Sequence, residues 1–251
     1  MLRIIIFFVV GLAFCAELYA QDNPNIVSMI YFKPKAAQKK QYLAGLKEHT
    51  EKHHNKGVAR VRTYRIISGS KSGWYVRVLG PFTWADVDKL QAVTSSKAHV
   101  ADAAKNIIPY VDETIGPMYW ENLKDLAYDP HTSGQPSKML RITFTHVNPL
   151  MDGGYLELRR QLKEAHEKTD SDDSFTVHQL VHGGNLHTYA QGYRLNNWAD
   201  MASSGRQKGD EYRVNEVFGE SAWGQFMSKG RKIIYKRNDE MRIYMKDYST
   251  R

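Results

Sequence analysis

Hydrophobic and polar residues alternate over 26–33 (IVSMIYFK), which predicts a strand, and 36–55 then shifts to the wider spacing of a long helix. Two further alternating runs follow, ARVRTYRII and GWYVRVLG, with Gly69 and Gly73 supplying the turn of a hairpin. A helical region opens at Trp84-Ala85-Asp86, and a last strand is expected near 121–128. The same series then begins again. A strand at 139–147 precedes a helix at 151–169, a hairpin (SFTVHQLV, HTYAQGYR) turns at Gly183 and Gly184, a second Trp-Ala-Asp stands at 198–200, and a strand is expected near 237–246.

Residue strings match across the two series. MIYF at 29–32 answers RITF at 141–144, LKEHTEK at 46–52 answers LKEAHEK at 162–168, and ISGSKSGWY at 67–75 answers VHGGNLHTY at 181–189. MYWENLKDLAY at 118–128 answers IYKRNDEMRIY at 234–244, so offsets of 112 to 116 persist in order, as a duplication requires. Each half reads β-α-β-β-α-β, the ferredoxin-like unit. One such sheet carries helices on one face and leaves the other bare. Two copies are therefore expected to pack their bare faces together as an intramolecular α+β barrel. The predicted division is a first repeat over 21–128, a Pro-, Gly- and Ser-rich linker over 129–137, and a second repeat over 138–251. In this scheme Trp84 and Trp198 pin the second helix of each half to its sheet, or line a pocket, while Asp86 and Asp200 favour the positive helix N-terminus.

Residues 1–20 stand apart from this pattern. Arg3, an apolar run from Ile4 to Cys15 and the small-residue end Leu18-Tyr19-Ala20 read as a secretory signal peptide, which implies an exported, periplasmic or extracellular protein. The apolar run is too short to span a bilayer, so no membrane attachment is expected after cleavage. Cys15 is the only cysteine, which excludes disulfides, Cys–zinc sites and a cysteine nucleophile from the mature chain. The net charge of +8 comes from basic residues interleaved with acids, a pattern of solvated helix faces rather than of nucleic-acid binding, though the surplus draws anions.

Alternation sorts the strand residues into two sets. One (Ile30, Phe32, Trp74, Val76, Val78, Ile142, Phe144) is expected against the helices. The other (Met29, Tyr31, Lys33, Arg62, Tyr64, Tyr75, Arg77, Arg141, Thr143, Thr145, Thr176, His178, Tyr189, Gln191) is expected to line a hydrated cavity, because buried polar groups need partners. There, Arg62, Arg77 and Arg141 can clamp a carboxylate, sulfate or phosphate. Tyr31, Tyr75 and Gln191 add ligand contacts, and a neighbouring guanidinium would lower the pKa of Tyr64, Tyr75 or Tyr189. Tyr64, Tyr189 and His178 are then candidates for proton transfer. The bland alternative is that these arginines pair with the chain's own acids. His49, His53 and His54 form a metal-like pair at helical spacing, but the helix ends there and histidines suit a negative helix end, so no metal is expected.

With W-x-D-x-x-x-L opening the second helix and a later His99 in SSKAHV, the tandem arrangement resembles the dimeric α+β barrel superfamily. That group takes in antibiotic-biosynthesis monooxygenases, stress-responsive A/B-barrel proteins, NIPSNAP-like proteins and haem-handling relatives. In the monooxygenase branch the resemblance implies a site built from a strand Asn, a helix Trp and a helix His. Trp84 and His99 match the last two; the first strand offers no clear Asn, and the second half carries Arg213 or Val214 near the position of His99. The expected function is binding of a small acidic or aromatic ligand in the cavity, with cofactor-independent chemistry open. One alternative is a β-eliminating lyase on acidic glycans; another is a non-catalytic module holding a partner or haem through His99 or His178. Both a monomer and a homo-oligomer are compatible with this reading.

Overall fold

Eight strands form in the predicted order: β1 (Ile26–Pro34), β2 (Val61–Ile66), β3 (Tyr75–Phe82), β4 (Val111–Asn122), β5 (Met139–Val147), β6 (Phe175–His182), β7 (Thr188–Leu195) and β8 (Ile234–Tyr244). The computed structural model describes residues 23–130, 136–203 and 209–250. The expected signal peptide and part of the linker lie outside the described residues. Among the described residues no helix is long and apolar enough to cross a membrane.

The strands close into one barrel in the order β1-β3-β2-β8-β5-β7-β6-β4, with β4 returning antiparallel to β1. The two halves therefore do not stack as separate sheets. They join edge to edge, β2 on β8 (Tyr64 opposite Tyr244) and β4 on β6 (Trp120 opposite Leu180). Edge pairing gives a partner to backbone groups that two stacked sheets would leave open. The last strand of the first half spans 111–122 rather than 121–128, because Lys124–Leu126 turn into a 3-10 helix whose Leu126 is buried.

Helices α1 (Lys39–His53), α2 (Trp84–Thr94) and α3 (Lys97–Asn106) cover the first half. The second carries α4 (Asp152–Lys168), α5 (Asp200–Ser203), α6 (Asp210–Phe218) and α7 (Ala222–Ile233). A capping box starts α2: the Thr83 side chain accepts from the Asp86 amide, and Asp86 accepts from the Thr83 amide. Trp84 does not pin this helix. Its indole is 54% exposed and lies 6.0 Å from the Tyr119 ring, while Leu90 is the residue that α2 buries; Trp198 is likewise exposed. The first turn of a helix is where a side chain most easily projects past the sheet edge. At Gly45 α1 and α3 meet so closely that a Cβ would stand 1.7 Å from the Asn106 carbonyl oxygen, so no side chain fits without moving the helices apart.

The barrel interior is apolar over most of its length: Met29, Ile66, Val76, Trp120, Phe144 and Leu180 pack together there. Trp120 and Phe144 place their rings 5.8 Å apart, a contact of about 0.5–1.5 kcal/mol beyond simple burial. The predicted sorting of faces holds for β1, β2 and β6. It is reversed on β3, β5 and β7: Val76, Val78, Ile142 and Phe144 belong to the interior cluster, while Tyr75, Arg77, Thr143, Thr145, Tyr189 and Gln191 turn toward the helix layer. The reason is that the helices present polar partners. Arg77 donates to Thr50 of α1 at 3.0 Å, Arg159 of α4 donates to Gln191 at 2.7 Å, and the Tyr189 hydroxyl donates to Asp152 at 2.8 Å.

One charged group sits deep in the interior. Arg242 donates from Nε to Glu240 at 2.6 Å and from Nη2 to the Tyr31 hydroxyl at 2.6 Å, and all three side chains are buried. Taking a guanidinium out of water is tolerable only because these acceptors meet it. Glu240→Ala is expected to cost about 3–5 kcal/mol in urea unfolding by leaving that charge unmatched, whereas Glu240→Leu with Arg242→Met recovers most of the loss. Equal stabilities for the single and double variants would show that the pair is not the constraint it looks to be.

Candidate functional site

The interior opens at the end of the barrel where β2 begins and β3 and β8 finish. A cleft of about 940 Å³ lies there, lined by Arg60, Arg62, Val78, Phe82, Tyr244 and Lys246 among others. Its walls pair apolar surface with three cations. The one carboxylate on the lining, Asp86, is already engaged by Thr83 and by Lys89 at 2.8 Å, hydrogen bonds that hold it below the usual carboxylate range. Arg62 is exposed and makes no ion pair among the described residues. Its guanidinium stands open to solvent at the mouth.

Behind it, alternation along β2 puts Tyr64 on the same inward face, with its ring 5.6 Å from that of Tyr244. Burial raises the Tyr64 pKa, and the opposing pull of Arg62, Arg242 and Arg194 does not overcome it. The hydroxyl thus stays protonated, a donor to an anion rather than a base. The expectation that neighbouring guanidiniums lower Tyr64, Tyr75 and Tyr189 fails at all three, because desolvation dominates each time. His178, inward-facing on β6, responds the opposite way: burial first, then Arg242, lowers it to about 4. It is a neutral imidazole at physiological pH and can accept a proton.

The site residues expected from sequence divide accordingly. Arg62, Tyr64, His178 and Tyr31 face the interior, with Tyr31 committed to Arg242 and Glu240. Arg77, Tyr75, Tyr189 and Gln191 do not join them, since they face the helices. Arg141 is also outside, tied to Asp239 through Nε at 3.1 Å and Nη2 at 3.0 Å. Trp84 lies on the surface beside Tyr119. His99, on α3, is remote from the barrel lumen in its contacts: it packs with His49, His53 and His54 of the α1 end. Arg60, Arg194, Glu240, Arg242, Tyr244 and Lys246 were missed. The alternating Glu240, Arg242 and Tyr244 were a usable signal, since three polar residues on one strand face must share one environment.

No protein-family model matches the chain, and no curated protein sequence matches it. Among solved structures it resembles an anthrone oxidase-like protein (TM-score 0.54, 10% identity, 90% of this chain and 93% of the other). It also resembles a protein provisionally named a monooxygenase from Lactobacillus acidophilus (TM-score 0.53, 7% identity, 88% and 94%). A third is a haem-binding protein from Thermus thermophilus (TM-score 0.50, 9% identity, 90% and 93%). These likenesses show the fold, that of the dimeric α+β barrel proteins, here completed by eight strands of a single chain.

Haem was tested against the two histidines expected to ligate it. The His99 Nε2 is 3.4 Å from the His54 Nε2 within a packed group of rings, which leaves no open face for a porphyrin. His178 stands on the wall of an interior filled by Trp120, Leu180 and Phe144. Neither fits an axial role.

The lowered His178 pKa has a stability consequence with a definite sign. The unfolded chain takes up a proton near pH 6.5 that the folded chain resists until about 4, so stability present above 6.5 is lost as pH falls across that window. The contribution is ~3 kcal/mol at most. By NMR the His178 ring should keep its neutral-form shifts down to about pH 5; ordinary titration near 6.5 would remove it from the desolvated interior.

Proposed function

We propose that this is an exported ligand-binding protein that takes a small aromatic or amphipathic acid at the mouth of its barrel. The carboxylate or other anionic head is held by Arg62, with Arg60 and Lys246 adding attraction, and the apolar part lies on Val78, Phe82 and Tyr244. The observation that carries this reading is a guanidinium without an ion-pair partner among the described residues, at the rim of an open cleft whose other cations face the same space. A planar guanidinium matches a carboxylate in two parallel hydrogen bonds, and the low-dielectric wall beside it strengthens them. Tyr64 would supply a neutral donor deeper in.

Export belongs to the same proposal and rests on the pattern of residues 1–20. So does descent from a tandem duplication of ferredoxin-like units, supported by the string matches and by the shared strand order, β4-β1-β3-β2 in one half and β8-β5-β7-β6 in the other. An acidic-glycan lyase is the less favoured reading. Of its three expected guanidiniums, Arg77 and Arg141 point away from the mouth and are committed elsewhere.

Isothermal titration of 4-hydroxybenzoate, octanoate and inorganic phosphate into the wild type and Arg62→Gln tests the proposal. The amphipathic acids should bind more tightly than phosphate, and the variant should lose on the order of 10-fold, the weight of one charge-assisted hydrogen-bonded pair. Binding should also weaken with added salt, because the mouth is exposed to solvent. Equal affinity in the variant, or no heat from either acid, refutes the assignment. A Soret band on haemin titration would favour the haem reading, and ultraviolet absorbance of unsaturated uronate from polygalacturonate the lyase.

A further inference from the structure

The C-terminal turn of α1 brings His49, His53 and His54 against His99 and Asp102 of α3. The rings of His49, His53 and His54 lie 4.5, 5.1 and 5.4 Å from that of His99. One ring nitrogen from each of His49, His54 and His99 lies within 4.8 Å of the other two. We propose that these three imidazoles form a binding site for a zinc-type divalent transition metal, outside the barrel and independent of the ligand mouth.

The hydrogen bonds around the rings select which nitrogen each can offer. His49 uses Nδ1 toward the Asp102 carboxylate at 2.6 Å, and His54 uses Nδ1 toward the Ala59 carbonyl at 2.7 Å. His99 hydrogen-bonds the backbone of Thr94. A ring that donates from Nδ1 carries its lone pair on Nε2, so His49 and His54 present Nε2 as ligand atoms. The second contact of each ring is what metal-bound histidines require: a carboxylate or carbonyl that fixes tautomer and orientation.

Spacing agrees with this. Nitrogens bound at 2.0–2.1 Å around a tetrahedral ion stand about 3.3–3.4 Å apart. The His54 and His99 Nε2 atoms are 3.4 Å apart. With its Nδ1 donating to Ala59, His54 offers the Nε2 lone pair to a proton on His99 Nε2 in the metal-free protein, and a cation between the two nitrogens would take that proton's place. Drawing in the third nitrogen needs a ring shift of roughly 1 Å.

Beside the three, the His53 Nε2 is buried without a hydrogen-bond partner among the described residues and lies 3.7 Å from Asp102, placed to meet a water in the fourth position. Asp102 is buried and accepts hydrogen bonds from His49 and Lys52, so a carboxylate stands beside the rings to offset an incoming cation. The charge that opposes the ion is the buried Arg77 on β3, which donates to Thr50 of α1, so the metal must be one that binds neutral nitrogen strongly.

Helix packing alone does not explain the cluster. In the second half α4 and α6 make the corresponding junction with His166 alone, held by Ser171 at 3.0 Å and Asp210 at 3.1 Å. The close approach at Gly45 keeps α1 and α3 near enough for their side chains to converge. Only the first half invests four imidazoles there.

The protein, purified without a polyhistidine tag and stripped with chelator, should bind one equivalent of Zn2+ in competition with a chromophoric chelator. Its Co2+ form should show the intense visible bands of tetrahedral coordination. His99→Gln, at a partly exposed position whose loss leaves the core intact by far-ultraviolet circular dichroism, should weaken Zn2+ on the order of 100-fold. Asp102→Asn should weaken it about 10–100-fold while keeping the tetrahedral spectrum. Zn2+ should also raise the Tm of the stripped wild type but not of His99→Gln. Failure to take up one equivalent, a weak octahedral Co2+ spectrum, or unchanged affinity in His99→Gln overturns the site. Arg62→Gln should bind Zn2+ as the wild type does; a loss there would contradict the independence of the two sites.

Discussion

Closure of the barrel is the constraint from which the remaining features follow. Pairing β2 with β8 and β4 with β6 satisfies the sheet edges, and it also seals the space inside. Whatever points inward must then be apolar or bring its own partner. Most inward positions are apolar. Among the polar inward side chains Arg242 is a fully buried cation, and Glu240 and Tyr31 are the partners it needs. The second half supplies the charge pair and the first half the tyrosine, so one polar network depends on both edges being joined.

The same closure places the cleft at the barrel end. With the middle filled by Trp120, Phe144 and their neighbours, an open volume lies where the strands stop. Positive charge collects there because strand ends and the turns beside them carry Arg60, Arg62 and Lys246. Burial then divides the nearby titratable groups. Tyr64 is kept protonated and His178 deprotonated, both through loss of solvent rather than through any one neighbour.

Outside the barrel the helix layer is more polar than a sheet-packing layer needs to be. Arg77 meets Thr50, Gln191 meets Arg159, and Tyr189 meets Asp152. Each pair spans strand and helix and gives the contact a direction that apolar packing lacks. On α1 and α3 this polar layer continues into the imidazole cluster, which the tight contact at Gly45 brings together.

Local pattern was enough to read seven of the eight strands, the main helices, the capping role of Asp86 and the α+β barrel class, since these follow from the period of the chain and from turn and cap chemistry within a few residues. Faces were another matter. Alternation divides a strand into two sets but is unchanged when they are exchanged, so β3, β5 and β7 were read with Tyr75, Arg141 and Tyr189 inward. Only the assembled structure decided that they point out: Tyr189 meets Asp152 of α4, Arg141 meets Asp239 of β8, and Tyr75 packs on Tyr42 of α1. In the same way Trp84 looked like an anchor until packing left it at the surface. His99 became the neighbour of His49 and His54 only once α3 had folded onto α1. Contacts between residues about fifty positions apart have no local signal; they exist because burial and hydrogen-bond satisfaction over the whole chain select one arrangement.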